Sequence, residues 1–228
     1  IPLMIKIIVM EERKLFERPY ETTHRKTIPF FVFMFLGMVT AYTFFFTVLP
    51  EATVNQIFNI QISTIQSVNA DIASQISGNF FGKFFPIIVA NNLKVMIFAV
   101  LFSFIYGSGA IFILTWNASV LGVAIGSLFR EIVSNAASGV GAVGIGTYFG
   151  AISLSFARYM IHGIPEIGAY FVAGLAGGLI SVGVLRYQLF NDKFKVVLKD
   201  ALFLFLIAII LVLMSGAIEV LISPLLYA

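Results

Sequence analysis

The charged residues of this chain come in clusters, and the apolar runs between them have the lengths of membrane spans. From Thr27 to Pro50 no charge occurs. A hydrocarbon core of about 30 Å takes roughly 20 helical residues to cross, so this run predicts a first transmembrane helix, closed by Pro50 and Glu51. The next uncharged run, Val95 to Phe129, would extend about 52 Å as a helix at ~1.5 Å per residue, too far for a single crossing. It is predicted to hold one span over residues 93–116, with Trp116 and Asn117 at an interface. An apolar segment over 118–129 follows, short enough to re-enter rather than cross. Three more spans are predicted over 139–161, 164–185 and 201–222.

The flanks follow the same pattern in weaker form. Between the first two spans, residues 51–90 are more polar. There Ile62, Ile65, Ile72 and Ile76 recur at helical spacing among Gln, Ser and Asn, as in an external amphipathic helix lying on a surface. A plain connector packed on the spans would show the same spacing. Residues 1–26 combine an apolar start with Glu11, Glu12, Arg13 and Lys14. They read either as a cytoplasmic amphipathic lead-in or as a solvated approach to the first span, which is too long for a secretory signal and lacks its small-residue cleavage site. The expected fold is all-α: one polytopic membrane domain over 27–228 with about five transmembrane helices, a re-entrant segment and an external amphipathic helix.

Composition agrees, at 60% hydrophobic and 11% charged residues, against about 45–50% and 25% in soluble domains. The surplus must face lipid or other spans, which makes the lipid bilayer the first partner and excludes a soluble enzyme or a nucleic-acid module. With no cysteine and two histidines, disulfides, thiol chemistry and multi-histidine metal sites drop out, and no cofactor is expected. Glycine costs about 1 kcal/mol relative to alanine in a helix interior, yet fifteen of the nineteen glycines fall between Gly107 and Gly183. Close packing of helices would compensate, and the small-xxx-small pairs Gly122/Gly126, Gly146/Gly150 and Gly174/Gly178 are the expected contact points. The same pairs would serve a homodimer. Six of fourteen basic residues precede the first span, and Arg186, Lys193, Lys195 and Lys199 lie between the last two. The positive-inside rule puts both groups in the cytoplasm, in a multi-pass cell-membrane protein with its N-terminus inside and its C-terminus outside.

Polar residues near the spans are few. Arg158, His162 and Glu166 are spaced by four and would share a helix face, but Pro165 predicts a break there, with Glu166 beside the opening N–H groups of the next span. Asn92 and Lys94 at the start of the second span, and Glu219 near the end of the last, are expected at the same outer level. Two readings stand together: a structural capping carboxylate paired with Arg158, His162 or Lys94, or a functional polar site, since ionisable groups at membrane depth are costly. Enzymatic motifs fail. His162 has no second histidine for a zinc protease, Glu11-Glu12 has Phe16 where a double-glutamate protease would have arginine, and no Gly-Lys-Ser/Thr follows the glycines near Gly139.

Asn91-Asn92 opening a span, Gly107 and Gly109, Asn117 before Leu121-Gly122, His162-Gly163-Ile164-Pro165-Glu166 and the run Gly174 to Gly178, with Pro19 ahead of the first span, resemble the stage II sporulation protein M family of integral membrane proteins. Pro165 departs from the apolar residue that pattern has before the glutamate. The resemblance implies a non-enzymatic membrane component, whose relatives in endospore formers accompany cell-wall remodelling enzymes. It also implies importance for Asn92, His162, Gly163 and Glu166. The resulting expectation is a scaffold or assembly component for membrane or cell-envelope protein partners. A small-solute or ion transporter with a polar site around Glu166 is the alternative.

Overall fold

A computed structural model describes residues 2–17, 27–73, 80–106, 110–140, 143–187 and 191–227, and every element among them is a helix. An apolar solvent enforces this economy, because a backbone N–H that finds no water must be bonded within its own segment. In order the helices are α1 (Pro2–Glu17), α2 (Thr27–Val48), α3 (Glu51–Ile57), α4 (Asn59–Ala73), α5 (Phe80–Tyr106), α6 (Ala110–Val140), α7 (Ile145–Arg186) and α8 (Asp192–Tyr227). Of these, α2, α5, α6, α7 and α8 are long and apolar enough to cross a membrane. The chain is an all-α polytopic membrane protein. Three of the six basic residues ahead of the first span, Arg18, Arg25 and Lys26, lie outside the described residues, as do Pro19, Ile76, Gly107 and Gly109.

The five long helices are not the five spans read from the sequence. The span expected over 93–116 divides between α5 and α6, and α6 runs without a break through Asn117, so 118–129 is the middle of a helix. Asn costs only a few tenths of a kcal/mol in a helix interior, too little to stop one in an apolar medium. The spans expected over 139–161 and 164–185 are a single helix, α7, continuous through Pro165. Proline there forfeits one backbone bond, but breaking the helix in lipid would orphan several more, so the helix continues. Asn191 caps α8 through its side-chain oxygen, 2.8 Å from the Phe194 N–H.

By its internal packing the chain divides into two compact units, one comprising Ile1–Met34, Pro86–Leu114 and Ile164–Ala217, the other Phe35–Phe85, Thr115–Gly163 and Ile218–Ala228. In the second unit, glycine on α6 determines how near α2 can come. A Cβ added at Gly122 would stand 2.6 Å from the Tyr42 Cβ and 3.1 Å from both the Val39 O and the Thr43 N, and one at Gly126 would stand 2.7 Å from the Phe46 ring. Thr43 uses that closeness to donate to the Gly122 carbonyl. Below the contact, Phe46, Val54, Phe58 and Val123 form a buried cluster on which Ile62 and Ile65 pack. Ile62 and Ile65 of α4 therefore rest on protein, with Gln61 donating to Ser119. Arg130 ends α2: its guanidinium donates to the Thr47 and Leu49 carbonyls and lies 5.3 Å from the centre of the Phe46 ring. Those carbonyls have no intrahelical partner, and a cation there suits the helix dipole. At Gly146 and Gly150 the outcome differs from the expected pairing, since an added Cβ would meet nothing within 4 Å at either.

In the first unit α7 is the central helix, the most buried of the five. A Cβ at Gly177 would come within 2.5 Å of the Val100 O and 3.1 Å of the Ser103 Cβ on α5, and Ser103 donates to the Gly174 carbonyl at 2.7 Å. Gly174 and Gly178 are buried in the same stretch. The lead-in is the largest departure from the sequence reading. Glu11 and Glu12, expected in water, are 1% and 0% exposed. Glu11 pairs with Lys14 at 2.5 Å, and Glu12 with Arg186 at 2.7 Å while also accepting from the Tyr187 hydroxyl. A buried carboxylate is tolerated when its oxygens are this fully bonded.

Two predictions follow. Gly122→Ala should destabilise the protein by about 1–3 kcal/mol, because the neighbours at 3.1 Å are backbone and cannot swing away. Gly150→Ala should be neutral or slightly stabilising, and thermal unfolding in detergent will separate the two. The second concerns Tyr187, whose phenol is pushed up to about 12 by burial first and then by the bond to, and charge of, Glu12. A free tyrosine titrates near 10, so the stabilisation from this contact is whole below about pH 10 and disappears as the pH rises through about 12. The melting temperature should fall more steeply over that window in the parent protein than in Tyr187→Phe.

Candidate functional site

A buried polar grouping is built from two helices of the first unit. Asn92 projects from α5, and Glu166 and Tyr170 stand one turn apart on α7, on one face. The close approach at Gly177 brings α5 and α7 together. Phe171, next to the tyrosine, stacks on Phe31 of α2 with ring centres 5.7 Å apart. Tyr170 is 1% exposed and Asn92 4%. The Tyr170 hydroxyl lies 2.7 Å from Glu166 Oε1 and 3.2 Å from Asn92 Oδ1, while Asn92 Nδ2 is buried with no partner among the described residues.

A phenol carries one hydrogen, so it cannot donate to both oxygens at once. When Glu166 is ionised, the proton points to the carboxylate, and the Asn92 amide is best served by turning end for end so that its N–H2 donates to the phenol. When Glu166 is protonated, it donates to the phenol, which donates on to Asn92 Oδ1. Arrival or departure of one proton thus reverses the sense of a three-residue hydrogen-bond chain. In a low-dielectric interior such chains strengthen cooperatively, and leaving one member unpaired is costly. The arrangement can hold two helices in register, and it can respond to a proton or a polar ligand.

Of the residues proposed from sequence, the structure joins Asn92 to Glu166 and supplies the link, Tyr170, that the sequence reading missed. The Tyr170 hydroxyl donates to the Glu166 carboxylate, and the continuity of α7 removes the opening N–H groups as a source. Lys94 is exposed, two residues and about 200° around the helix from Asn92. Arg158 and His162, both half-buried, precede Glu166 by two turns and one turn on α7 and belong to the second unit, as does Glu219. The signal for Tyr170 was present in the chain: a tyrosine four residues after a carboxylate, inside an apolar run that buries it, needs a partner for its hydroxyl.

The stage II sporulation protein M family matches over residues 27–224. The chain belongs to that family. An uncharacterised protein of Methanocaldococcus jannaschii is 32% identical over 169 residues, covering 72% of this chain and 84% of its relative. No solved structure matches. The stage II sporulation protein M match takes in Asn92, Glu166 and Tyr170 and does not extend to α1, the helix that carries Glu11 and Glu12.

Tyr170→Phe should lower stability in detergent by about 1–3 kcal/mol, the range for stranding buried hydrogen-bond partners. Lys94→Ala should stay within about 0.5 kcal/mol of the parent. Equal thermal shifts for the two variants would remove the phenol from its linking role.

Proposed function

We propose that this member of the stage II sporulation protein M family is a non-enzymatic scaffold, an assembly component that gathers membrane or cell-envelope proteins in the bilayer. The observation that carries the reading is the way Glu166 is used. Its carboxylate is bonded by a phenol of its own helix, and that phenol is tied in turn to α5, so the costliest polar group of the packed centre serves helix–helix register. The glycines at Gly122, Gly126 and Gly177 serve the same end. Outward, the helices present large apolar side chains such as Phe33, Phe112 and Phe149, suited to lipid and to other membrane helices.

The topology belongs to this reading. If α2, α5, α6, α7 and α8 each cross once from a cytoplasmic N-terminus, the turn between α7 and α8 returns to the cytoplasm and the C-terminus lies outside. The contact of α1 with Arg186 and Tyr187 supports it, because it brings two basic segments to one end of the first unit. Glu166 then lies about 30 Å along α7 from Arg186, near the outer boundary of the hydrocarbon. A homodimer is part of the same proposal, with the open Gly146/Gly150 face available to a second copy.

The second reading is a small-solute or ion transporter, favoured by the unpartnered Asn92 amide and the reversible hydrogen-bond chain beside it. Flux into liposomes decides between them. A scaffold should give no selective flux, and cross-linking in native membranes should recover a dimer and envelope-protein adducts. Selective flux that Glu166→Gln abolishes would overturn the scaffold, and recovery of monomer alone would remove the dimer.

A further inference from the structure

Helix α1 is amphipathic in the opposite sense from a helix of a soluble protein. At about 100° per residue, Ile8, Glu11 and Glu12 fall on one side, Lys6, Met10 and Arg13 on the other, and Ile5 and Phe16 on the flank next to Glu12. The side turned into the protein holds the two acids. The outward side carries exposed Lys6, Met10 and Arg13, and the flank carries exposed Ile5 and Phe16; Ile5, Met10 and Phe16 are 41%, 48% and 41% accessible. A helix bordered by water would gain by reversing this choice, burying its isoleucine, methionine and phenylalanine and solvating its glutamates.

The position of α1 along the membrane helices accounts for the inversion. Its Glu12 is held by Arg186, the last residue of the apolar α7, and Phe16 meets the Tyr187 ring edge-on with centroids 5.8 Å apart. Lys193, in the first turn of α8, stands 6.0 Å from the centres of both rings. The helix therefore lies where α7 leaves the hydrocarbon and α8 enters it, the depth of lipid headgroups. Tyrosine and lysine favour that level. The neighbouring Asp192 is engaged by Lys195 at 3.1 Å.

We propose that the outward face of α1, together with Lys193, is a docking surface for anionic lipid headgroups, with Ile5, Met10 and Phe16 seated at the headgroup–acyl boundary. Charge complementarity selects the occupant. By pairing Glu11 with Lys14 and Glu12 with Arg186 and Tyr187 inside the protein, the helix removes two negative charges from the surface and leaves cations beside apolar side chains. An interfacial helix binds anionic bilayers through this combination. The salt bridge to Arg186 couples that surface to the end of α7.

The cysteine-free sequence makes the test direct. Met10→Cys in the full chain, labelled with an environment-sensitive fluorophore, is reconstituted into vesicles of phosphatidylcholine alone or of phosphatidylcholine with phosphatidylglycerol. In the anionic vesicles the emission should shift to the blue and be quenched by lipids bearing a nitroxide near the headgroup. Both effects should weaken in neutral vesicles, at high salt and in a Lys6→Glu/Arg13→Glu variant. Should that variant fail to fold, the salt series on the labelled parent carries the same information. Water-like emission without quenching in either vesicle, as expected if a soluble protein is the occupant, would overturn the proposal. Equal quenching in neutral and anionic vesicles would overturn the anionic preference.

Discussion

The approach of α7 to α5 governs the first unit, and it depends on there being no side chain at Gly177. With the Val100 carbonyl 2.5 Å from where a Cβ would stand, no other residue fits without moving one backbone from the other. The hydroxyl of Ser103 reaches the Gly174 carbonyl only because the backbones are this close. Asn92 meets Tyr170 two turns farther along the same pair of helices. In lipid, where apolar surface gains little from leaving one greasy neighbour for another, such close dispersion contacts and the hydrogen bonds they permit supply the association. The second unit repeats the device with Gly122 and Gly126 against α2.

Charge is handled by a common logic in three places. Arg130 finds the carbonyls that α2 leaves unpaired at its end, Glu12 finds a guanidinium and a phenol, and Glu166 finds a phenol. In each case an ionisable group is bonded to a helix other than its own, or through a residue that is. A buried charge whose partner is removed is expensive, whereas one that is fully bonded restricts the geometries in which its elements can pack. The polar residues of this chain thus act as register marks on surfaces that leucine and phenylalanine would leave free to slide.

Much of this was legible in the sequence, and the misses have specific causes. Thr27 to Val48 was bounded by charge and proline, and helix and prediction agree within two residues. The class followed from the uncharged runs alone. Boundaries inside the long glycine-rich region were misplaced because Asn117 and Pro165 were weighed as they would be in water, where a freed N–H or carbonyl has somewhere to go. The small-residue pairs could be counted from the chain but not ranked: Gly122 meets a backbone, Gly126 a phenylalanine ring, and Gly146/Gly150 open space, a difference set by partners distant in sequence. For the polar site, Asn92 and Glu166 stood out as costly, whereas Tyr170 was hidden among aromatic residues of similar hydropathy.

The two glutamates of α1 show most plainly why periodicity alone failed there. Charge pattern reads a helix by assuming that acids face water, and under that assumption Glu11 and Glu12 define the outer side. Here Arg186 and Tyr187, more than 170 positions away, offer Glu12 a better-bonded site, and the helix turns over to reach it. Met10 must then face outward while Ile5 and Phe16 remain exposed on the flank, an arrangement that water would penalise and a lipid interface does not. The orientation of α1 is therefore decided jointly by a long-range ion pair and by the medium, and neither is written in the local sequence. The family match ends short of this helix, while the core it docks on lies inside it.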